Sequence, residues 1–201
     1  MSAACAESIG LELETDHLLL RPFRATDLPH LQRYATRPEF YEFLSLPEQT
    51  PETVAAFLEH RLKSQEQHHT GRFAFAIELK PVKRVIGSVR IEISDATNKQ
   101  GDLGFALDPD HQRRGYMTEA VARVLAFGFG QLSLHRVFAT ADVENHRSWR
   151  LMERLGMIRE GLLRQDKLVR GQWRDSFLYA ILSEEFVGKR GGSSAIGDGE
   201  R

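Results

Sequence analysis

The sequence predicts a mixed α/β fold: helices early, strands in the middle, a helix between strands and a closing hairpin. Three observations predict it. Residues 85–93 alternate Val89, Ile91 and Ile93 against Arg90 and Glu92, the period of a half-buried strand. An apolar strand at residues 102–108 stops at Pro109 and leads through a polar loop into a helix whose apolar stripe is Met117, Val121, Val124, Leu125 and Gly128. Residues 162–169 and 175–182 alternate across Arg170-Gly171, as the arms of a hairpin do.

Taken in order, residues 18–21 read as a first strand. Helical segments follow Thr26-Asp27 to about residue 66, punctuated by Pro29, Pro38, Pro47 and Pro51, with Val54, Phe57, Leu58 and Leu62 at helical spacing. Residues 73–79 and 85–93 are the second and third strands, and residues 102–108 the fourth. Residues 136–141 form the fifth. A helix then starts near Asn145, a favoured capping residue, and stops at Gly156.

Composition narrows the function. The chain has 201 residues, a formal net charge of -1 and a pI of about 6.7. That balance gives no electrostatic reason to expect nucleic acid or an anionic membrane as partner. Cys5 has no second cysteine to pair with, and no apolar run reaches membrane-spanning length. A cytoplasmic protein is expected, with one domain over residues 11–188 between flexible ends at residues 1–10 and 189–201.

The chemistry is concentrated where the fourth strand enters its helix, at Gln112-Arg113-Arg114-Gly115-Tyr116-Met117. The first N–H groups of a helix have no partner inside it, and the dipole there is positive, so a basic turn at this place suits a phosphate. A glycine lets backbone approach a bulky anion. Two arginines at a helix start oppose the dipole unless an anion is present. The loop lacks the spacing of the nucleoside triphosphatase loop and of the dinucleotide fingerprint.

This segment resembles the pyrophosphate loop of the GNAT superfamily of acyl-coenzyme A N-acyltransferases, Gln/Arg-x-x-Gly-x-Gly/Ala, with Met117 standing where Gly or Ala is usual. Three further segments agree in order. They are Leu18-Leu19-Leu20-Arg21-Pro22-Phe23-Arg24 with Asp27-Leu28; the stretch from Asn145 to Met157 with Glu160-Gly161-Leu162-Leu163-Arg164; and Gly171-Gln172-Trp173-Arg174-Asp175 with Tyr179-Ala180. Together they are similar to the RimJ/RimL-like branch, the ribosomal-protein N-terminal acetyltransferases and their relatives, over nearly the whole chain.

The resemblance implies the GNAT fold, a mostly antiparallel sheet whose fourth and fifth strands splay apart, and acetyl-CoA as co-substrate with no metal. It assigns the pantetheine contacts to Phe105, Ala106 and Leu107, because an extended chain with two amides can act as an added strand. The pyrophosphate falls to Gln112, Arg113, Arg114, Gly115, Tyr116 and Met117, and Asn145 is both helix cap and pantetheine contact. Many relatives keep a tyrosine acid at the position of Met152; here Ser148, one turn earlier, is the candidate partner of the thiolate, with a second reading as part of the cap. Asp102 and Glu92 are the candidate bases and Asp175 a third, each with an alternative as a solvent-facing strand residue.

An α-amino group, with a pKa of roughly 7.7–8.0, is often neutral at pH 7, so N-terminal acetylation needs only a weak base or a water chain. The resemblance implies acetyl transfer by direct attack of a primary amine, on a protein N-terminus or a small molecule. A coenzyme A sensor without catalysis is the alternative, motivated by Met117 and Met152. Dimers are common in this branch. Of the remaining features, Glu119 is expected to be structural, and His68-His69 has no metal-ligand spacing. His111, beside the loop, reads as exposed, with ligand contact as the alternative. Trp149, Trp173, Tyr34, Phe40, Tyr41 and Phe43 either line the acceptor cleft or pack.

Overall fold

A computed structural model describes residues 11–66 and 71–187. Cys5, His68-His69 and both terminal segments lie outside the described residues. The strands are β1 (Leu13–Glu14), β2 (Leu18–Arg21), β3 (Arg72–Leu79), β4 (Arg84–Asp95), β5 (Gln100–Leu107), β6 (Arg136–Asp142), β7 (Ile158–Val169) and β8 (Gln172–Leu182). The helices are α1 (Leu28–Ala35), α2 (Pro38–Tyr41), α3 (Pro51–Glu66), α4 (Tyr116–Gly130), α5 (His146–Arg154) and α6 (Ser183–Val187). Pro29, Pro38 and Pro51 each sit at a helix start, where the missing N–H costs nothing.

The strands form one sheet in the order β1-β2-β3-β4-β5-β6-β8-β7. Every neighbouring pair is antiparallel except β5 with β6, which α4 connects as a parallel crossover. The mixed sheet expected from the sequence is thus the one observed. The two-residue β1 was not anticipated, so the expected fourth and fifth strands are β5 and β6. Their pairing lasts only from Gln100↔Arg136 to Asp102↔Phe138. Beyond it β5 stays paired with β4 up to Leu107, while β6 pairs with β8 up to Asp142. The two strands therefore splay, leaving one edge of β5 without a strand partner over residues 103–107, roughly 16 Å at the usual rise per residue, with the Leu107 carbonyl accepting from Gln112 at 3.5 Å.

Two apolar layers hold the sheet. On one face Ala120, Val121, Val124 and Leu125 of α4 are fully buried against Ile77, Ile86, Val89, Ile91 and Val137. On the other, Leu31, Tyr34, Val54 and Leu58 of α1 and α3 cover Ala76 and Val85. With so buried a helix body, the N-terminus of α4 has a fixed position beside the open edge of β5.

The motif at Arg21 and Asp27 proves to be a buried ion network. Arg21 is 3% exposed; it donates to Asp27 Oδ1 at 2.7 Å and Oδ2 at 2.9 Å, and to Glu78 Oε2 at 2.7 Å. This ties β2 to β3 and to the turn that starts α1. Glu119 is structural, as expected: its carboxylate accepts from the backbone N–H of His17 at 2.9 Å and contacts the His17 ring at 3.0 Å.

The hairpin turns at Arg170 and Gly171, both with positive φ (46° and 81°), the combination a two-residue hairpin turn requires. Its strand β7 is irregular. Register shifts fall between Arg159 and Gly161 and between Leu163 and Lys167. At the second, the Asp175 carboxylate accepts from the N–H of Gln165 at 2.8 Å. That bond gives Asp175, a third candidate base in the sequence, a place in fixing the bulge.

Candidate active site

A cavity of about 910 Å³ opens at the splay. One side is the end of β5, with Phe105, Ala106 and Leu107. Next to it comes the loop and first turn of α4, with Gln112, Arg113, Gly115, Tyr116 and Met117. The start of α5 follows, with Asn145, Ser148 and Leu151, and α2 with the segment after it adds Glu39, Phe40, Glu42 and Phe43. Of the residues expected to contact coenzyme, only Arg114 does not line this cavity.

The loop has the geometry of an anion cradle. Asp108 accepts from the N–H of Asp110 at 3.0 Å and starts a 3-10 turn over Pro109–His111. Arg113 and Gly115 then take positive φ, 63° and 83°. The backbone N–H groups of Arg113, Arg114, Gly115 and Tyr116 make no hydrogen bond among the described residues. Successive free N–H groups at a helix N-terminus form a concavity that attracts anions. A Cβ built on Gly115 meets nothing within 4 Å, so the space in front of it is open. Met117 is 6% exposed and packs into the core beneath the loop, which leaves its backbone free for the cradle.

Asn145 caps α5: its side chain accepts from the N–H of Ser148 at 3.2 Å. The cap uses only the backbone of Ser148. Its hydroxyl has no partner among the described residues and belongs to a side chain lining the cavity. Met152 is fully buried in the core and Tyr179, also fully buried, donates to Glu153 at 2.9 Å. Burial, with Glu153 beside it, pushes the Tyr179 phenol up to about 12, which suits a structural tie between β8 and α5.

Asp102 and Glu92 face one another on β5 and β4, outside the cavity lining. Asp102 accepts from Arg90 at 2.9 Å and Glu92 from Arg72 at 2.6 Å. Strand periodicity placed Arg90 on the face of Glu92; it carried no information that Asp102 and Arg72 meet them there.

His111 is a correction to the exposed side chain expected. It is 9% exposed, lines the cavity, and its Nδ1 lies 2.9 Å from Asp108 Oδ2. Asp108, wholly buried, also accepts from Arg33 of α1 at 2.8 Å. Arg37 reaches Asp110 at 2.8 Å and, by hydrogen bonding to it, holds that carboxyl below the usual range. The loop is thereby braced against α1 and the start of α2. Asp-Pro after a strand signals the turn, but nothing local announces the arginines some seventy residues away.

The wall formed by α2 and the segment after it is bridged from the opposite direction. Arg170 donates to the carbonyl oxygens of Tyr41, at 3.0 Å, and of Glu42. Arg174 lies 5.8 Å from the Phe43 ring centroid and pairs with Asp142 at 2.7 Å and Glu144 at 2.6 Å. Phe40 and Phe43 line the cavity, whereas Tyr34 and Tyr41 are core. Trp149 donates its indole N–H to Val143 and packs; Trp173 is 61% exposed and outside the cavity.

Residues 17–158 match the acetyltransferase (GNAT) domain family. The uncharacterized N-acetyltransferase YnaD of Bacillus subtilis is 27% identical over 88% of this chain and 99% of its own. The crystal structure of a GNAT-family acetyltransferase from Bacillus anthracis superposes with a TM-score of 0.76 at 26% identity, covering 87% of this chain and all of the other. The spermidine N-acetyltransferase of Vibrio cholerae, solved in complex with CoA and spermine, shares the fold at 21% identity. Its TM-score is 0.72, and the match covers 86% of this chain and 99% of that one. Among the described residues no helix is long and apolar enough to cross a membrane.

Proposed function

The chain belongs to the GNAT acetyltransferase family and is an N-acetyltransferase, and from that premise we propose that its acetyl donor is acetyl-CoA and its acceptor a primary amine. The acceptor is read as the α-amino group of a protein N-terminus, in keeping with the RimJ/RimL-like motifs, or a small-molecule amine. A cytoplasmic setting goes with a coenzyme A thioester substrate. One observation carries the reading: the open edge of β5 and the free N–H groups of residues 113–116 adjoin a single cavity. The edge offers amide partners to an extended chain, and the cradle takes a pyrophosphate at its end.

Bound there, acetyl-CoA supplies an activated acyl carbon and a thiol leaving group. A C–N bond forms to the acceptor, the C–S bond breaks, the amine gives up a proton and the sulfur gains one. The free hydroxyl of Ser148 is proposed to give the sulfur its hydrogen bond. Asp102 and Glu92, each held by an arginine, leave removal of the amine proton to water, which an α-amino group permits. Glu39 is paired with Arg37 at 3.8 Å, which leaves Glu42 as the carboxylate at the acceptor end that favours a cationic approach.

Thermal unfolding with acetyl-CoA, coenzyme A and ATP–magnesium in parallel tests the donor. Ligand at roughly 100 times its dissociation constant adds about 2.7 kcal/mol, a shift of several degrees for a domain of this size. Both coenzyme species are expected to shift the transition and ATP to leave it; no shift with either coenzyme sinks the reading. Thiol release with a free peptide, the same peptide N-terminally blocked, and spermidine then separates the acceptors. Release only with the free peptide assigns the α-amino group, and release with spermidine the small amine.

Ser148→Ala preserves the cap, which needs only the backbone N–H. Coenzyme affinity is expected to stay within about twofold while turnover falls by roughly a hundredfold, the lower range for a positioned proton donor. Unchanged turnover would leave Ser148 with its backbone place in the cap and no role for its hydroxyl.

A further inference from the structure

One face of α5 carries more positive charge than a pyrophosphate cradle requires. Arg147, Arg150 and Arg154 follow one another at spacings of three and four, so they stack along the helix, and all three line the cavity. None of the three, all exposed, has a carboxylate within ion-pair distance among the described residues, and the same holds of Arg113 in the neighbouring loop, so four cations line one cavity without an acidic partner. The first turn of α5 holds no acidic residue. Of the carboxylates lining the cavity, Glu144 is taken by Arg174, and Glu39 and Glu42 belong to α2 and the segment after it.

The stripe is also positioned. Arg147 donates to Gln112 Oε1 at 2.8 Å, which joins α5 to the cradle through a neutral partner and leaves the charge uncompensated. The Arg150 guanidinium lies 5.4 Å from the Trp149 ring centroid, and that indole is fixed by its bond to Val143. Like charges at these spacings repel, so a helix that keeps them beside a cavity is relieved when an anion enters. The cradle N–H groups account for one anionic group; the stripe on α5 calls for another.

We propose that Arg150 and Arg154 form a second anion subsite, selective for a phosphomonoester, which on the coenzyme is the 3′-phosphate of its ribose. The inference rests on the acetyl-CoA reading above. It makes the protein discriminate between coenzyme A and its 3′-dephospho form at a place separate from the chemistry.

Calorimetric titration of the full chain with coenzyme A and with dephospho-coenzyme A tests it, in the wild type and in Arg150→Gln/Arg154→Gln. The wild type is expected to bind coenzyme A at least tenfold more tightly than the dephospho form. In the double variant that preference disappears: coenzyme A affinity falls to the dephospho level, and dephospho-coenzyme A affinity does not change. Glutamine keeps helix propensity and removes like-charge repulsion, so the unliganded variant should melt no lower than the wild type. Equal wild-type affinities overturn the subsite while leaving the coenzyme reading intact, as does an equal loss for both ligands in the variant. Binding of neither form to the wild type overturns the coenzyme reading itself.

Discussion

Gly115→Glu is expected to abolish coenzyme binding in a protein that still folds. Residue 115 sits at φ 83° with nothing within 4 Å of a built Cβ, so a side chain there meets open cavity, not core. The left-handed backbone costs an L-residue about 1–2 kcal/mol, a tolerable loss. The carboxylate, however, stands where the free N–H groups of residues 113–116 await an anion. Repulsion between unit charges 4 Å apart is about 4 kcal/mol at an effective dielectric of 20, or two to three orders of magnitude in affinity. Gly115→Ala carries the same strain without the charge and should lose far less. Calorimetry on both separates conformation from electrostatics, and near-normal affinity in folded Gly115→Glu would remove the loop from the site.

Arg21→Ala is expected to be the most destabilising single change in the fold. The guanidinium is the common partner of Asp27 and Glu78, whose side chains are 2% and 13% exposed. Removing it strands two carboxylates in the interior, which typically costs about 3–5 kcal/mol. For a domain of this length that is a fall in melting temperature of roughly 6–20 °C. The cost comes from the charges left behind more than from the pair itself, so replacing all three residues by apolar ones of similar volume should recover most of the loss. A melting temperature within 2 °C of wild type for Arg21→Ala would contradict the network.

These two residues also mark how far the sequence could be read. The cradle is contiguous: strand, Asp-Pro turn, basic glycine loop and helix follow one another, so local rules suffice. The four-motif resemblance likewise implies the splayed strands, which periodicity and turn signals do not give. Arg21 and Asp27 were legible as a motif but not as a buried ion pair, since Glu78, their third member, arrives only when β2 pairs with β3. The surroundings of Asp102 and Glu92 were only half legible for a related reason. A strand's period of two puts Arg90 on the face of Glu92, and only the register brings Asp102 and Arg72 to that face. His111 looked like a loop residue until Arg33, on a helix far upstream, closed over its partner Asp108. The least legible stretch was the cavity wall at residues 38–43, where α2 is one turn long and the wall is held by Arg170 and Arg174 from the far end of the chain.

The irregularity of β7 has a bearing on how molecules of this protein meet one another. A sheet that ends in a long, regular strand offers its spare amides to any neighbour and invites stacking into ribbons. Here one rim ends in β1, only two residues long. The other ends in β7, whose twelve residues bear exposed Ile158, Leu162 and Leu168. That is a sticky rim, yet it is broken at residue 160 and again at residues 164–166, where Gln165 takes a positive φ of 51°. Neither rim offers a long straight run of amides. The stretch suited to an incoming extended chain is the flank of β5, recessed between two strands of the same molecule, where a slender ligand fits and another protein's sheet does not.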